Sequence, residues 1–252
     1  PGLLLMCLFI ATVWIMSLID PAAGPRGPAV PLAEKFRLAL GAAPLVGVIV
    51  LSIGGIYVGA FTPVEASGIG AALVILLALV SRSLTVRKFR QAIFDTVKTS
   101  AMLYMVVIGA NVLNPFLAMT HIPTTLGEGL AGLGLGPYGA LAVIVVAYVI
   151  LGMFLDGLSM LVVTIPIVFP IMMQNGFDPI WFGVVAVIVV EMGMITPPVG
   201  LNVFVVKGIA PDVPMATIFR GVLPFLFAML ICLLLIVIFP QIALFLPNTM
   251  FG

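Results

Sequence analysis

The chain has 252 residues, 63% of them hydrophobic and only 8% charged, with a formal net charge of +1. Its mean hydropathy is +1.37. Soluble domains carry roughly a quarter charged residues, so composition excludes an ordinary water-soluble globule and points to an all-α polytopic membrane protein. No cluster of basic and aromatic residues suggests nucleic acid, and the partner implied throughout is the lipid bilayer.

A spanning helix needs about 20 apolar residues. Leu3–Ile19 qualifies, and it lacks both a basic leader and a small-residue cleavage site, so it does not read as a signal peptide. With Pro1 in first place, the chain is expected to begin partway through a larger protein. A Pro/Gly-rich link follows, Asp20–Arg37, holding Arg26, Glu34, Lys35 and Arg37. Leu38–Phe61 is the second span. It turns at Thr62–Pro63 into a third, Val64–Val80.

SRSLTVRKFRQAIFDTVK, Ser81–Lys98, places Arg82, Arg87, Lys88, Arg90 and Lys98 between Leu84, Val86, Phe89, Ile93, Phe94 and Val97. That pattern fits an amphipathic basic helix on the bilayer surface; its alternative is a plain cytoplasmic loop. Ala101–Thr120 reads as a span interrupted by Asn111, Asn114 and Pro115. His121–Pro137 reads as a polar, Gly-rich connection. Leu141–Leu155 stops at Asp156-Gly157, and Leu158–Met173 resumes. After Gln174–Asp178, Ile180–Ile195 runs to a Thr-Pro-Pro break, and Leu201–Val206 leaves it. Phe219–Leu246 is the final span, carrying Pro224 and Pro240. The basic links Asp20–Arg37 and Ser81–Lys98 share a side, which the positive-inside rule makes cytoplasmic.

Cys7 and Cys232 sit isolated in apolar runs and read as buried small hydrophobes rather than a disulfide. His121, the one histidine of the sequence, has no Cys or carboxylate at metal-ligand spacing. GGIYVGAF lacks the Lys and the strand of a phosphate loop. No nucleophile–base pair assembles, so no enzyme is expected and no cofactor is called for.

Two interruptions carry the functional argument. FLDGLS, Phe154–Ser159, and TPPVG, Thr196–Gly200, both fall inside apolar segments. Non-helical backbone at membrane depth is tolerated only inside protein or beside a cavity, and paired interruptions point to a transporter binding site. Unwound backbone offers carbonyls to a cation, and the half-helix that follows offers N–H groups to an anion. Pro197-Pro198 with Gly200 breaks more than a kink requires, although a plain kink is the alternative. Asp156 fits two compatible roles, N-cap and ion ligand. Ser159 and Thr164 can instead bond back to helix carbonyls. Glu191 is a carboxylate one turn before the break; its alternative is a protonated, hydrogen-bonded group in a packed interface.

GGIYVGAFTPVEASGIGA, Gly54–Ala71, and the long stretch Leu151–Ile209 resemble signatures of the large membrane subunit of TRAP transporters, which are tripartite, ATP-independent and served by a periplasmic substrate-binding protein. The opening PGLLL looks like the junction after the first half in that family. The resemblance implies that this chain is the C-terminal half of an inverted-repeat, elevator-type transporter with a re-entrant hairpin and a broken transmembrane helix. It implies scaffold-type spans over 1–98 with an arm helix over about 82–98. A transport region over 99–208 would hold the hairpin (about 138–173) and the broken helix (about 179–208), and a C-terminal span would occupy 209–252. The candidate ion- and substrate-binding residues are Asp156, Gly157, Ser159, Thr196, Pro197, Pro198, Gly200 and Asn202. Sodium, as coupling ion, would bind through Asp156, Gly157, Thr196 and Gly200. Implied partners are the small TRAP membrane subunit, the periplasmic binding protein and the N-terminal half, in a bacterial inner membrane. The implied function is sodium-coupled uptake of a C4-dicarboxylate or sugar acid. Two alternatives stand beside it: an ion-coupled anion carrier without a binding protein, and a non-transporting structural or assembly protein.

Overall fold

A computed structural model describes residues 1–20 and 31–251, so Arg26 of the first link lies outside the described residues. Every regular element there is helical: α1 (Gly2–Ile19), α2 (Leu32–Tyr57), α3 (Pro63–Val80), α4 (Val86–Thr120), α5 (Ile122–Gly132), α6 (Gly136–Gly152), α7 (Gly157–Gln174), α8 (Pro179–Ile195), α9 (Leu201–Ile209), α10 (Met215–Ile238) and α11 (Gln241–Phe251). Six contain a stretch long and apolar enough to cross a membrane. The apolar helices α6 and α8 are shorter, 17 residues each. The protein is therefore an all-helical, multi-pass membrane protein.

Two compact units emerge. One contains α2, α3 and the start of α4. Its α2–α3 corner is fixed locally. Glu65 N–H donates to Thr62 Oγ1 (3.3 Å), and Thr62 N–H donates to Glu65 Oε2 (2.8 Å). Pro63 follows the cap, where its missing donor costs nothing.

The other unit contains α1, the chain from Ala101, and α5 to α10. Its core is drawn from α6, α7, α8 and α10, with Met160, Met172, Phe182, Val185, Cys232 and Ile236 among its buried residues. Asp178 starts α8 by accepting from the N–H groups of Ile180 (2.8 Å) and Trp181 (2.9 Å). Trp181 then ties α8 to α10: its indole Nε1–H donates to the Ile236 carbonyl at 3.0 Å. Helical geometry would assign that carbonyl to the N–H of residue 240, which is Pro240 and has none. The indole fills the vacancy. Phe9 on α1 meets Phe225 on α10 edge to face at 5.3 Å.

Four sequence expectations need correction. The basic amphipathic stretch begins as a helix at Val86, after a turn through Ser81–Thr85, and continues without interruption into Ala101–Thr120 as one 35-residue helix. Asn111 does not break it, because its amide donates back to the Val107 carbonyl at 2.9 Å. His121–Pro137 is no simple connection, since α5 occupies most of it. The helix packs on α7, with Gly127 beside Ile171, so tertiary contact overrides the weak propensity of its glycines. The final span divides at Phe239–Pro240 into α10 and α11. Cys232 is buried as expected, but Cys7 is exposed, because α1 buries no residue within the described structure.

Candidate functional site at a hairpin tip and a helix break

Helices α6 and α7 form a helix–turn–helix whose tip is Met153–Asp156. Asp156 is the N-cap of α7: its Oδ1 accepts from the Ser159 N–H at 3.1 Å, and its carbonyl accepts from Met160 N–H at 3.0 Å. The capping role foreseen for Asp156 is thus real, and it places a carboxylate at the tip. Gly157 opens α7 against α8; a Cβ there would sit 2.9 Å from Val190 Cγ1 and 3.3 Å from Met194 Sδ. The Ser159 hydroxyl also faces the Asp156 carboxylate as a hydrogen-bond partner.

At the other interruption α8 ends on Thr196. Its N–H donates to Gly193 O (3.0 Å) and its hydroxyl to Met192 O (2.6 Å). Pro197 and Pro198 are exposed and joined by a cis peptide. Gly200 is buried with φ +61°, the left-handed region. A Cβ there would lie 3.2 Å from Thr196 O and 3.3 Å from Phe219 Cε1, so glycine is required for both conformation and space. Asn202 is half-buried in the first turn of α9, and its amide is uncommitted among the described residues.

Backbone hydrogen bonding at these two places has a common pattern. Among the described residues, no backbone N–H reaches the carbonyls of Gly152, Met153, Phe154 and Leu155 at the tip. The same holds for every carbonyl from Met194 to Val199 at the break. The prolines account for part of this, since they cannot donate to Gly193 or Met194. Conversely, the N–H groups of Leu201 and Asn202 at the start of α9 have no backbone acceptor. The site therefore presents oxygen donors, with one carboxylate and one hydroxyl, and separately an N–H-lined helix start. The first set suits a hard cation, the second an anion.

What brings the two interruptions together was not foreseen. Helix α6 crosses α8 with backbone against backbone. A Cβ on Gly152 would lie 3.0 Å from Gly193 Cα; one on Gly193 would lie 2.7 Å from Gly152 Cα and 2.9 Å from Val149 O. Gly152 is the last residue before the tip, and Gly193 stands three residues before Thr196. Two glycines inside apolar helices are the available sequence signal, because small residues let membrane helices approach; which glycines meet is not written in the chain. No hydrogen bond among the described residues joins Asp156 or Ser159 to Thr196, Gly200 or Asn202.

The charged groups nearby are few. Lys207 Nζ donates to the carbonyls of Pro211 (2.6 Å) and Val213 (2.7 Å), at the far end of α9 from the break. Glu191 is exposed and lines an otherwise apolar groove of about 560 Å³ with Leu5, Val187 and Met229. Glu191 makes no hydrogen bond among the described residues. No group of three or more His, Cys, Asp or Glu assembles among the described residues.

Residues 1–242 match the family described as the tripartite ATP-independent periplasmic transporter, DctM component. The chain is 33% identical over 249 residues to the C4-dicarboxylate TRAP transporter large permease protein DctM of Pseudomonas aeruginosa, covering 98% of this chain and 58% of that protein. It is 34% identical over 204 residues to the sialic acid TRAP transporter large permease protein SiaM of Vibrio cholerae, covering 81% of this chain and 48% of that one. It is 32% identical over 257 residues to the ectoine/5-hydroxyectoine permease UehC of Ruegeria pomeroyi, covering all of this chain and 58% of the relative. The chain thus spans about half to three-fifths of the length of these curated relatives.

Proposed function

Because this chain belongs to the DctM component family of tripartite ATP-independent periplasmic transporters, we propose that it forms the hairpin-and-break half of a permease that couples sodium entry to uptake of an organic anion. The solute is of C4-dicarboxylate or sugar-acid type. Relatives are named for C4-dicarboxylate, sialic acid and ectoine. The permease works in the bacterial cytoplasmic membrane with a small membrane subunit and a periplasmic binding protein, and it moves its transport region as an elevator over a scaffold.

The single observation that carries this reading is the meeting of two interrupted helices at Gly152 and Gly193, with uncommitted carbonyls on both sides of the contact. Each unsatisfied polar group in hydrocarbon costs several kcal/mol, so an ion that takes up these oxygens is strongly favoured at this place. Asp156 supplies a carboxylate and Thr196 a hydroxyl and a carbonyl for sodium, while Gly157 and Gly200 shape the turns that hold them; the Gly200 carbonyl itself accepts from the Val203 N–H at 2.8 Å. Bound sodium adds positive charge beside the start of α9, where the free N–H groups of Leu201 and Asn202 and the Asn202 amide favour an anion. The cation thereby raises the affinity for the anion, which is the thermodynamic content of coupling. Pro197, Pro198 and Ser159 keep the backbone open and polar around it.

The test is uptake by the full-length permease in proteoliposomes, with its small subunit and binding protein, under an imposed inward sodium gradient. Uptake should need both the gradient and the binding protein. Uptake indifferent to sodium removes the coupling assignment, and uptake without the binding protein favours a stand-alone carrier.

A further inference from the structure

The core of the hairpin contains one polar contact. Tyr148 on α6 is 2% exposed and Thr164 on α7 is 9% exposed. Thr164 Oγ1 lies 2.8 Å from the Tyr148 hydroxyl and 2.7 Å from the Met160 carbonyl. A hydroxyl has one proton and a carbonyl only accepts, so Thr164 donates to Met160 and Tyr148 donates to Thr164. Every polar atom of the pair is satisfied.

The placement of the pair connects it to the tip. Tyr148 stands one turn before Gly152, the residue pressed on Gly193. Asp156, Met160 and Thr164 follow one another at four-residue intervals along one face of α7. Asp156 O accepts from Met160 N–H, and Met160 O accepts from Thr164. A continuous run of hydrogen bonds therefore leads from Tyr148 to the cap of the hairpin. Beyond Thr164, Pro166 and Pro170 lie inside α7. They cannot donate to the carbonyls of Val162 and Pro166, so the backbone of α7 is weakened on the side away from the tip. The tip-side turns of α7 need another hold, and the surrounding core supplies only non-directional apolar contact.

We propose that Tyr148 and Thr164 are positioning residues for the cation site: their hydrogen bond is the strut that fixes the first two turns of α7, and with them Asp156 and the tip carbonyls, against α6. The strut acts through the tip rather than touching the ion, and the assignment rests on the sodium reading above. A buried polar pair of this kind contributes direction, which apolar packing does not.

The experiment uses the full-length permease with its partner proteins. Tyr148→Phe keeps the ring and removes one hydroxyl; Thr164→Val keeps the shape and removes the other. Each should raise half-saturating sodium about three- to tenfold, the fold-change matching one hydrogen bond of ordinary strength. The maximal rate at saturating sodium should hold. The double variant should be no worse than Thr164→Val, because the contact with Tyr148 is already lost there, and Thr164→Ser should behave as wild type. A second readout does not depend on transport. Spin labels at the exposed Phe154 on the tip and Val187 on α8 should give a narrow distance distribution in the wild type and a broader one in Tyr148→Phe. An unchanged distribution, or an unchanged half-saturation in a sodium-driven wild type, overturns the assignment. A wild type indifferent to sodium overturns the transport reading instead, and the label distances then decide the strut alone.

Discussion

Gly193→Ala is the most direct perturbation of the proposed site, because the structure fixes how large the insult is. The new methyl would stand 2.7 Å from Gly152 Cα, 2.9 Å from Val149 O and 3.0 Å from Gly152 C. All three are backbone atoms, so no side chain can rotate away. To restore ordinary contact at 3.4 Å, α6 and α8 must part by roughly 0.7 Å. Overpacking of this kind typically costs about 1–3 kcal/mol. Metal–ligand distances tolerate only about 0.2 Å, so separation of tip from break falls mainly on the cation. If the whole cost appears there, half-saturating sodium rises by about five- to 150-fold. Gly183→Ala is the internal control. It lies on the same helix, but nothing stands within 4 Å of its added methyl. Removing a helical glycine there should be neutral or stabilise by up to about 1 kcal/mol. The assay is paired: thermal unfolding of the purified full-length permease in detergent, and sodium titration of uptake in proteoliposomes. Gly193→Ala should lose stability and sodium affinity while Gly183→Ala loses neither. If the two variants behave alike, the glycine crossing does not set the site.

Replacing Pro197 and Pro198 together with Ala restores two donors and lets the helix heal across the break; the protein should insert as well or better while sodium-driven uptake collapses, and normal uptake with unchanged sodium dependence would make the break a packing feature. Asp156→Ala should lose about 1 kcal/mol of capping and weaken sodium dependence, whereas Asp156→Asn keeps a capping oxygen and should weaken sodium dependence alone; a sodium titration unmoved by either leaves Asp156 as a cap only. Trp181→Phe leaves the Ile236 carbonyl without its donor and should lower stability by about 1–3 kcal/mol with no change in half-saturating sodium, since the contact is at the opposite end of α8 from the break.

Features set by local chemistry were legible in the sequence. Apolar length marks the spans because backbone groups in lipid must bond within their own segment. Asp156 announces a cap, and Thr196–Gly200 announces a break, because proline lacks a donor wherever it stands. The signatures Gly54–Ala71 and Leu151–Ile209 pointed to the family that residues 1–242 match. Other features were decided between segments. Helix α5 forms from a Gly-rich stretch because α7 is there to pack against. The Gly152–Gly193 crossing and the Tyr148–Thr164 contact join residues 41 and 16 positions apart in the chain. A glycine or a tyrosine in an apolar helix carries no mark of its partner. The choice is made by which helix faces can close to van der Waals distance once all of them are packed, and that is a property of the tertiary structure alone.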